Sequence, residues 1–172
     1  PPVLQQFGLS AALSWLGEEF RRHGLTVTVQ APPETPPLSA DQAGLLFQSV
    51  RELLMNVVKH AKTDAAFVTM HYEGRRLILT VLDKGTGFDR VLEQEAKDKL
   101  GLFSVRERMH ALGGSFTLDS SPGAGTHATL TLPFIPEASP DSTEGEWDGM
   151  ERERRDSDPN VPSGSEPNPA EA

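Results

Sequence analysis

Asp83-Lys84-Gly85-Thr86-Gly87-Phe88-Asp89 ends an apolar run, and upstream Glu52, Asn56, Lys59 and His60 stand at spacings i, i+4, i+7 and i+8. Asp83 follows Leu77, Leu79 and Val81 at two-residue intervals, so on a strand its carboxylate shares their inward side. A buried lone carboxylate is costly unless paired, and a ligand amino group such as that of adenine would pair it. The two spaced glycines let backbone approach a ligand closely. The four upstream residues share one helical face, expected to lie opposite the apolar stripe of their helix. Asn and Glu oxygens suit a hard cation; Lys and His suit phosphate oxygens.

Each feature also has a plainer reading. The helix face could be an ordinary solvated one, although Asn is a poor mid-helix residue because it competes for backbone hydrogen bonds. Asp83 could be a turn-former before Gly, a common use of that pair. Gly101 opens a further helix, whose free N–H groups favour a phosphate. Gly123-Ala124-Gly125-Thr126 supplies a second flexible turn and a hydroxyl; its glycines alone would also make a simple hairpin.

Positioning these groups requires a frame. Gly8 to His23 is predicted as an amphipathic helix with Leu9, Leu13, Leu16 and Phe20 on one face, stopped by Gly24. Leu25 to Gln30 alternates as a strand, and the prolines at 32, 33, 36 and 37 mark a loop. A long helix runs from about Ser39 to Lys62, with Ser39 or Asp41 as cap and Leu46, Val50, Leu53, Leu54, Val57 and Ala61 as its buried stripe. Strands Ala65–Tyr72 and Arg76–Asp83 flank a turn at Glu73-Gly74-Arg75. Lys84 to Leu100 lacks periodicity and reads as a mobile loop. Leu102, Val105, Met109 and Leu112 mark another helix ended by Gly113-Gly114, and Ser115–Ser120 and Thr126–Phe134 are the last strands. The order α-β-α-β-β-α-β-β predicts a two-layer α/β (α+β) sandwich, a mixed sheet with helices on one face.

The 172 residues contain no Cys, which excludes a disulfide framework and any thiolate metal site. No apolar run reaches the roughly 18–20 residues that span a bilayer, and Pro1 onward has no signal-peptide pattern. Of the net charge of −9, the segment from Glu137 holds 11 acidic and 3 basic residues, or −8, leaving −1 for the rest. That near-neutral balance, with no clustered basic face, argues against direct nucleic-acid binding. Residues 135–172 are rich in Pro, Glu, Asp, Ser and Gly, and read as a disordered acidic tail.

Taken as an ordered set, these motifs resemble the Bergerat ATP-binding fold of the GHKL superfamily, and within it the catalytic domain of bacterial sensor histidine kinases of the nitrate/nitrite-sensor-like subgroup. Glu52-Leu53-Leu54-Met55-Asn56-Val57-Val58-Lys59-His60-Ala61 resembles that family's N box, and Asp83-Lys84-Gly85-Thr86-Gly87-Phe88 its G1 box. Gly101-Leu102-Phe103-Ser104-Val105-Arg106-Glu107-Arg108-Met109, with Leu112-Gly113-Gly114, is similar to its G2 region. Pro122-Gly123-Ala124-Gly125-Thr126 is similar to its closing glycine motif. The resemblance covers roughly Pro1 to Pro133.

The resemblance implies ATP and Mg²⁺ as ligands. Asn56 would hold the metal, and Glu52 would position a metal-bound or attacking water. Lys59 and His60 would meet phosphate oxygens. Asp83 would accept from adenine N6, with Gly87 and Thr126 near the base, partly through water, and Gly85 and Gly125 would also belong to the nucleotide-binding set. Gly101 and Leu102 would close over the triphosphate. The family usually has Asn after the G1 Asp, where this chain has Lys84, which could add a phosphate contact or disturb the loop.

Pro1 to Gly8 resembles the end of the linker from a dimerisation and phosphotransfer domain, which the resemblance places upstream. The catalytic domain is then 9–134. None of the five histidines, His23, His60, His71, His110 and His127, fits a phosphoacceptor. The implied function is transfer of the ATP γ-phosphate to a His of the dimerisation domain, for relay to a LuxR-type response regulator. The whole kinase would be a homodimer in the cytoplasm, or the cytoplasmic part of a membrane-anchored sensor, and this chain alone a monomer. Alternatives are an anti-sigma-factor-type serine kinase on the same fold, or a degenerate ATP-binding module without catalysis.

Overall fold

The computed structural model describes residues 1–33, 38–89 and 101–133. The expected loop over 90–100, the middle of the proline loop and the acidic tail lie outside the described residues.

A five-stranded mixed sheet in the order β1-β2-β3-β5-β4 forms the framework. Its strands are β1 (Thr26–Gln30), β2 (Ala65–Glu73), β3 (Arg76–Asp83), β4 (Ser115–Ser120) and β5 (Thr126–Pro133). β1 pairs with β2 in parallel; the other three ladders are antiparallel. Strand alternation decides which face is covered. Leu77, Leu79, Val81 and Asp83 of β3 are buried, and their neighbours Ile78, Thr80 and Leu82 on the other side are only partly covered. Ala66, Val68 and Met70 of β2 and Ala128, Leu130 and Leu132 of β5 continue the buried face.

Among the described residues three helices cover that face: α1 (Pro2–Arg21), α2 (Ala40–Asn56) and α3 (Leu102–Ala111). α2 lies between the other two, packing on both. The predicted stripe Leu46, Val50, Leu53, Leu54, Val57 and Ala61 is buried throughout, as are Leu9, Leu13, Leu16 and Phe20 of α1. Ser39 rather than Asp41 caps α2. Its hydroxyl accepts from the Gln42 N–H at 3.1 Å, and its own N–H donates to Gln42 Oε1 at 2.9 Å, a reciprocal capping box. The two-layer α/β sandwich expected from the sequence is the architecture found. No helix among the described residues is long and apolar enough to cross a membrane.

Two local departures have identifiable causes. Helical backbone begins at Pro2 rather than Gly8, with Gly8 itself a break at φ 78 and ψ −176. Proline is tolerated in a first helical turn because its missing N–H would have no partner there. Val3 and Leu4 of this upstream piece pack partly against the core. The long second helix also does not stay α to Lys62. After Asn56 it widens into one π turn, Val57–Ala61, and Lys62 closes it in the left-handed conformation at φ 53.

Candidate functional site

Asp83 is the natural starting point, because among the described residues only Ser49 and Asp83 are buried polar side chains. The Ser49 hydroxyl is satisfied by the Leu45 carbonyl at 2.8 Å. Asp83 is different: it is a carboxyl 3 % exposed at the end of a central strand. The Gly85 N–H donates to its Oδ1 at 2.8 Å and the Thr126 N–H also donates to it. Burial nevertheless pushes its pKa above the ordinary carboxylate value, the two backbone hydrogen bonds pulling the other way.

Asp83 faces a cavity of about 330 Å³. α2 and its π turn provide one wall with Leu53, Asn56, Val57, His60 and Ala61. The sheet contributes Val81, Leu118, Thr126 and Ala128, and the loop and α3 contribute Gly87, Phe88 and Leu102. The lining is mostly apolar, with a few polar groups, which is the pattern of a small-molecule site.

The cavity lining corrects the expectation that Glu52, Asn56, Lys59 and His60 form one face opposite the apolar stripe. Asn56 and His60 line the same cavity as Leu53, Val57 and Ala61 of that stripe. Glu52 sits one turn earlier, with its carboxylate in the space a side chain at Gly101 would need. Lys59 is exposed and outside the cavity lining. Asn56 precedes the π turn, and its position follows from plain helical spacing: Leu53, Asn56, Val57 and His60 stand at i, i+3, i+4 and i+7 and share one face.

The same turn anchors the glycine loop. The Ala61 carbonyl accepts from the Thr86 N–H at 2.8 Å, and the His60 carbonyl from the Thr86 hydroxyl at 3.3 Å. Carbonyls at a helix end have no partner within the helix, and here the loop supplies one. Gly85 lies against Ala61 and Gly125 against the Asp83 backbone, each where a Cβ would collide. Both glycines are therefore supports of the site rather than cavity-lining groups. Gly101, at φ 63, precedes α3, and no side chain among the described residues caps that helix start.

Of the residues singled out from sequence, the fold brings Asn56, His60, Asp83, Gly87, Leu102 and Thr126 to one cavity. Glu52, Lys59, Gly85, Gly101 and Gly125 lie around it. Ser120, not among the residues singled out from sequence, joins the loop to the β4–β5 hairpin: its hydroxyl accepts from the Phe88 N–H at 3.0 Å and donates to the Gly125 carbonyl at 2.9 Å. A lone Ser at a strand end carries no spacing signal. The apolar wall residue Leu118 is likewise absent from that set, although alternation along β4 with Phe116 points to it.

A family model described as histidine kinase-, DNA gyrase B-, and HSP90-like ATPase matches residues 41–136, more than half of the chain. The sensor histidine kinase LiaS of Bacillus subtilis is 31 % identical over 137 residues, 80 % of this chain and 37 % of its own length. The sensor histidine kinase MctS of Rhizobium johnstonii is 33 % identical over 135 residues, 77 % of this chain and 29 % of its own. The chain thus spans about a third of the length of these relatives. Among solved structures, the blue-light activated histidine kinase of Erythrobacter litoralis superposes with a TM-score of 0.64 at 24 % identity, over 73 % of this chain and 42 % of that one, a likeness of fold.

Proposed function

The chain belongs to the histidine kinase-, DNA gyrase B- and HSP90-like ATPase family, and on that footing we propose that its cavity binds ATP with Mg²⁺ as the catalytic domain of a sensor histidine kinase. The observation that carries this reading is Asp83. It is a buried carboxylate at the floor of a mostly apolar cavity, held by two backbone amides and lacking a cationic partner among the described residues. An adenine amino group would satisfy it while the ring lay between Val57, Ala61 and Leu102.

The roles proposed for the remaining residues follow from position. Asn56 lines the cavity on the side of α2 and offers a neutral oxygen to Mg²⁺. One protein ligand beside phosphate and water oxygens suits that ion, which rarely takes an all-protein cage. When bound, the metal neutralises phosphate charge. His60 lines the cavity next to Asn56 and would meet phosphate oxygens. Lys59, exposed, would act at longer range. Gly101 and Leu102 begin a helix whose N-terminal amides favour an anion. Glu52, beside Gly101, would orient water near that anion. Positioning and charge neutralisation are what phosphoryl transfer asks of a protein.

In the longer protein the γ-phosphate would pass to a His of a dimerisation domain and then to a response regulator. Its relatives LiaS and MctS, both sensor histidine kinases, support that assignment. A LuxR-type regulator and a homodimeric cytoplasmic kinase remain part of the proposal. The test is equilibrium binding of Mg-ATP to this chain beside Asp83→Asn. Saturable binding that the substitution abolishes supports the reading. No binding by the parent chain would reduce it to a fold without its ligand.

A further inference from the structure

Ser120, Thr126 and Asp83 form one row across three adjacent strands: Asp83 pairs with Thr126 in the β3–β5 ladder, and Thr126 with Ser120 in the β4–β5 ladder. Paired residues point to the same side of a sheet. Asp83 and Thr126 both line the cavity. Ser120 stands one strand further out, and its Oγ has three polar neighbours: the Phe88 N–H at 3.0 Å, the Gly125 carbonyl at 2.9 Å and the Thr126 Oγ1 at 3.1 Å.

A serine hydroxyl has one proton to give and two lone pairs to receive with. The Phe88 amide can only donate, so it takes one lone pair. The Gly125 carbonyl can only accept, so it takes the proton. The remaining lone pair faces Thr126, and the third contact is a hydrogen bond only if Thr126 donates. Only this assignment makes all three contacts hydrogen bonds. The Thr126 proton is thereby committed to Ser120, and Thr126 can offer the cavity nothing but lone pairs. Asp83 beside it is a carboxylate, again an acceptor.

We propose that Ser120 is a positioning residue that sets base specificity: by holding the Thr126 proton, it makes the side chains at this end of the cavity acceptors only. Such a floor suits a 6-amino purine, whose amino group carries two donors. It rejects a 6-oxo purine, whose carbonyl would face two acceptors with no proton between them. The inference rests on the nucleotide-binding reading above and deepens it. Ser120 itself does not line the cavity, so it acts through Thr126.

The test compares binding of Mg-ATP and Mg-ITP, which differ in the base at this edge, to the chain by titration calorimetry. The wild type is expected to prefer ATP. Ser120→Ala releases the Thr126 proton, which can then be donated to the inosine carbonyl. The ITP-to-ATP ratio of dissociation constants should narrow by about three- to tenfold, the worth of one neutral hydrogen bond. Ser120→Thr, which keeps the hydroxyl, should restore the wild-type ratio. Placed on a Thr126→Val background, Ser120→Ala should leave the ratio where Thr126→Val alone puts it.

A merely structural serine would weaken both nucleotides alike, and an unmoved ratio in Ser120→Ala overturns the proposal. So does a ratio that shifts equally on the Thr126→Val background. If Ser120→Ala does not fold, Thr126→Val decides alone: loss of the acceptor weakens ATP and relieves ITP, so an unchanged ratio again overturns it. A wild type that binds neither nucleotide defeats the nucleotide reading itself. Tight ATP binding with an unmoved ratio defeats only the role of Ser120.

Discussion

Thr126 stands directly across the β3–β5 ladder from Asp83, and its backbone N–H donates to the Asp83 carboxylate. With the Gly85 N–H at 2.8 Å, this fixes the carboxylate from two sides of the chain, the loop that follows β3 and the start of β5. The two hydrogen bonds offset part of the desolvation, and the carboxyl still keeps a raised pKa. An anion held in place but incompletely compensated gains from any further donor that enters the cavity. Pre-organisation and ligand affinity therefore share a single origin here.

The raised pKa gives stability a defined pH slope. Native Asp83 keeps its proton to higher pH than the unfolded chain does, so between the two values the native state binds more protons. The contribution of Asp83 to stability is full below the unfolded value and is lost as pH rises through the elevated native value. Asp83→Asn has no such slope. Urea unfolding of both proteins from about pH 4 to about pH 7 should show the wild type losing ground to Asp83→Asn as pH rises. The opposite trend would mean that the two amide hydrogen bonds outweigh burial.

Gly123 and Gly125 provide a matched pair, since both have left-handed backbone, at φ 79 and φ 75. A Cβ at Gly123 meets open space, whereas one at Gly125 strikes the Asp83 carbonyl group. Gly123→Ala should cost about 1–2 kcal/mol, the strain of a left-handed alanine, and leave nucleotide affinity intact. Gly125→Ala adds an overpacking cost of about 1–3 kcal/mol and displaces the carboxylate from Thr126. Thermal unfolding and Mg-ATP titration of the two variants separate the outcomes. Equal losses of affinity would mean that the contact at Asp83 does not govern the cavity.

Much of the frame was legible because its signals are periodic. Leu77, Leu79, Val81 and Asp83 alternate on β3 as a half-buried strand must, and the α2 stripe recurs with helical period. Those patterns placed Asp83 inside and gave the correct layer arrangement. Asn56 and His60 were found by type and spacing, but their direction was not. The spacing from Glu52 suggests a polar face, whereas the spacing from Leu53 and Val57 puts both residues on the edge of the apolar stripe, where they line the cavity. Gly8 reads as a helix start in the sequence but interrupts one in the fold, since a proline-led turn before it has no apolar period to read. Ser120 stayed hidden for another reason. Its importance lies in three partners drawn from the loop after β3 and the start of β5, and only the fold brings them together.

Asn56 and Lys59 were paired by spacing, and the structure separates them: Asn56 lines the cavity, while Lys59 is exposed and outside it. Their substitutions should differ in kind. Asn56→Ala removes the side chain proposed to hold Mg²⁺, so affinity for Mg-ATP should fall by about tenfold or more. Binding of adenosine, which carries no phosphate, should be nearly unchanged. Lys59→Ala removes only a solvated positive charge. Its effect should be a few-fold at low ionic strength and fade as salt screens it over about 10 Å at 0.1 M. Titrating both ligands against each variant at two salt concentrations provides the check. A salt-independent loss of Mg-ATP affinity in Lys59→Ala as large as that in Asn56→Ala would place the Lys59 ammonium directly on the phosphates. The side chain would then have to swing inward from the position it occupies here.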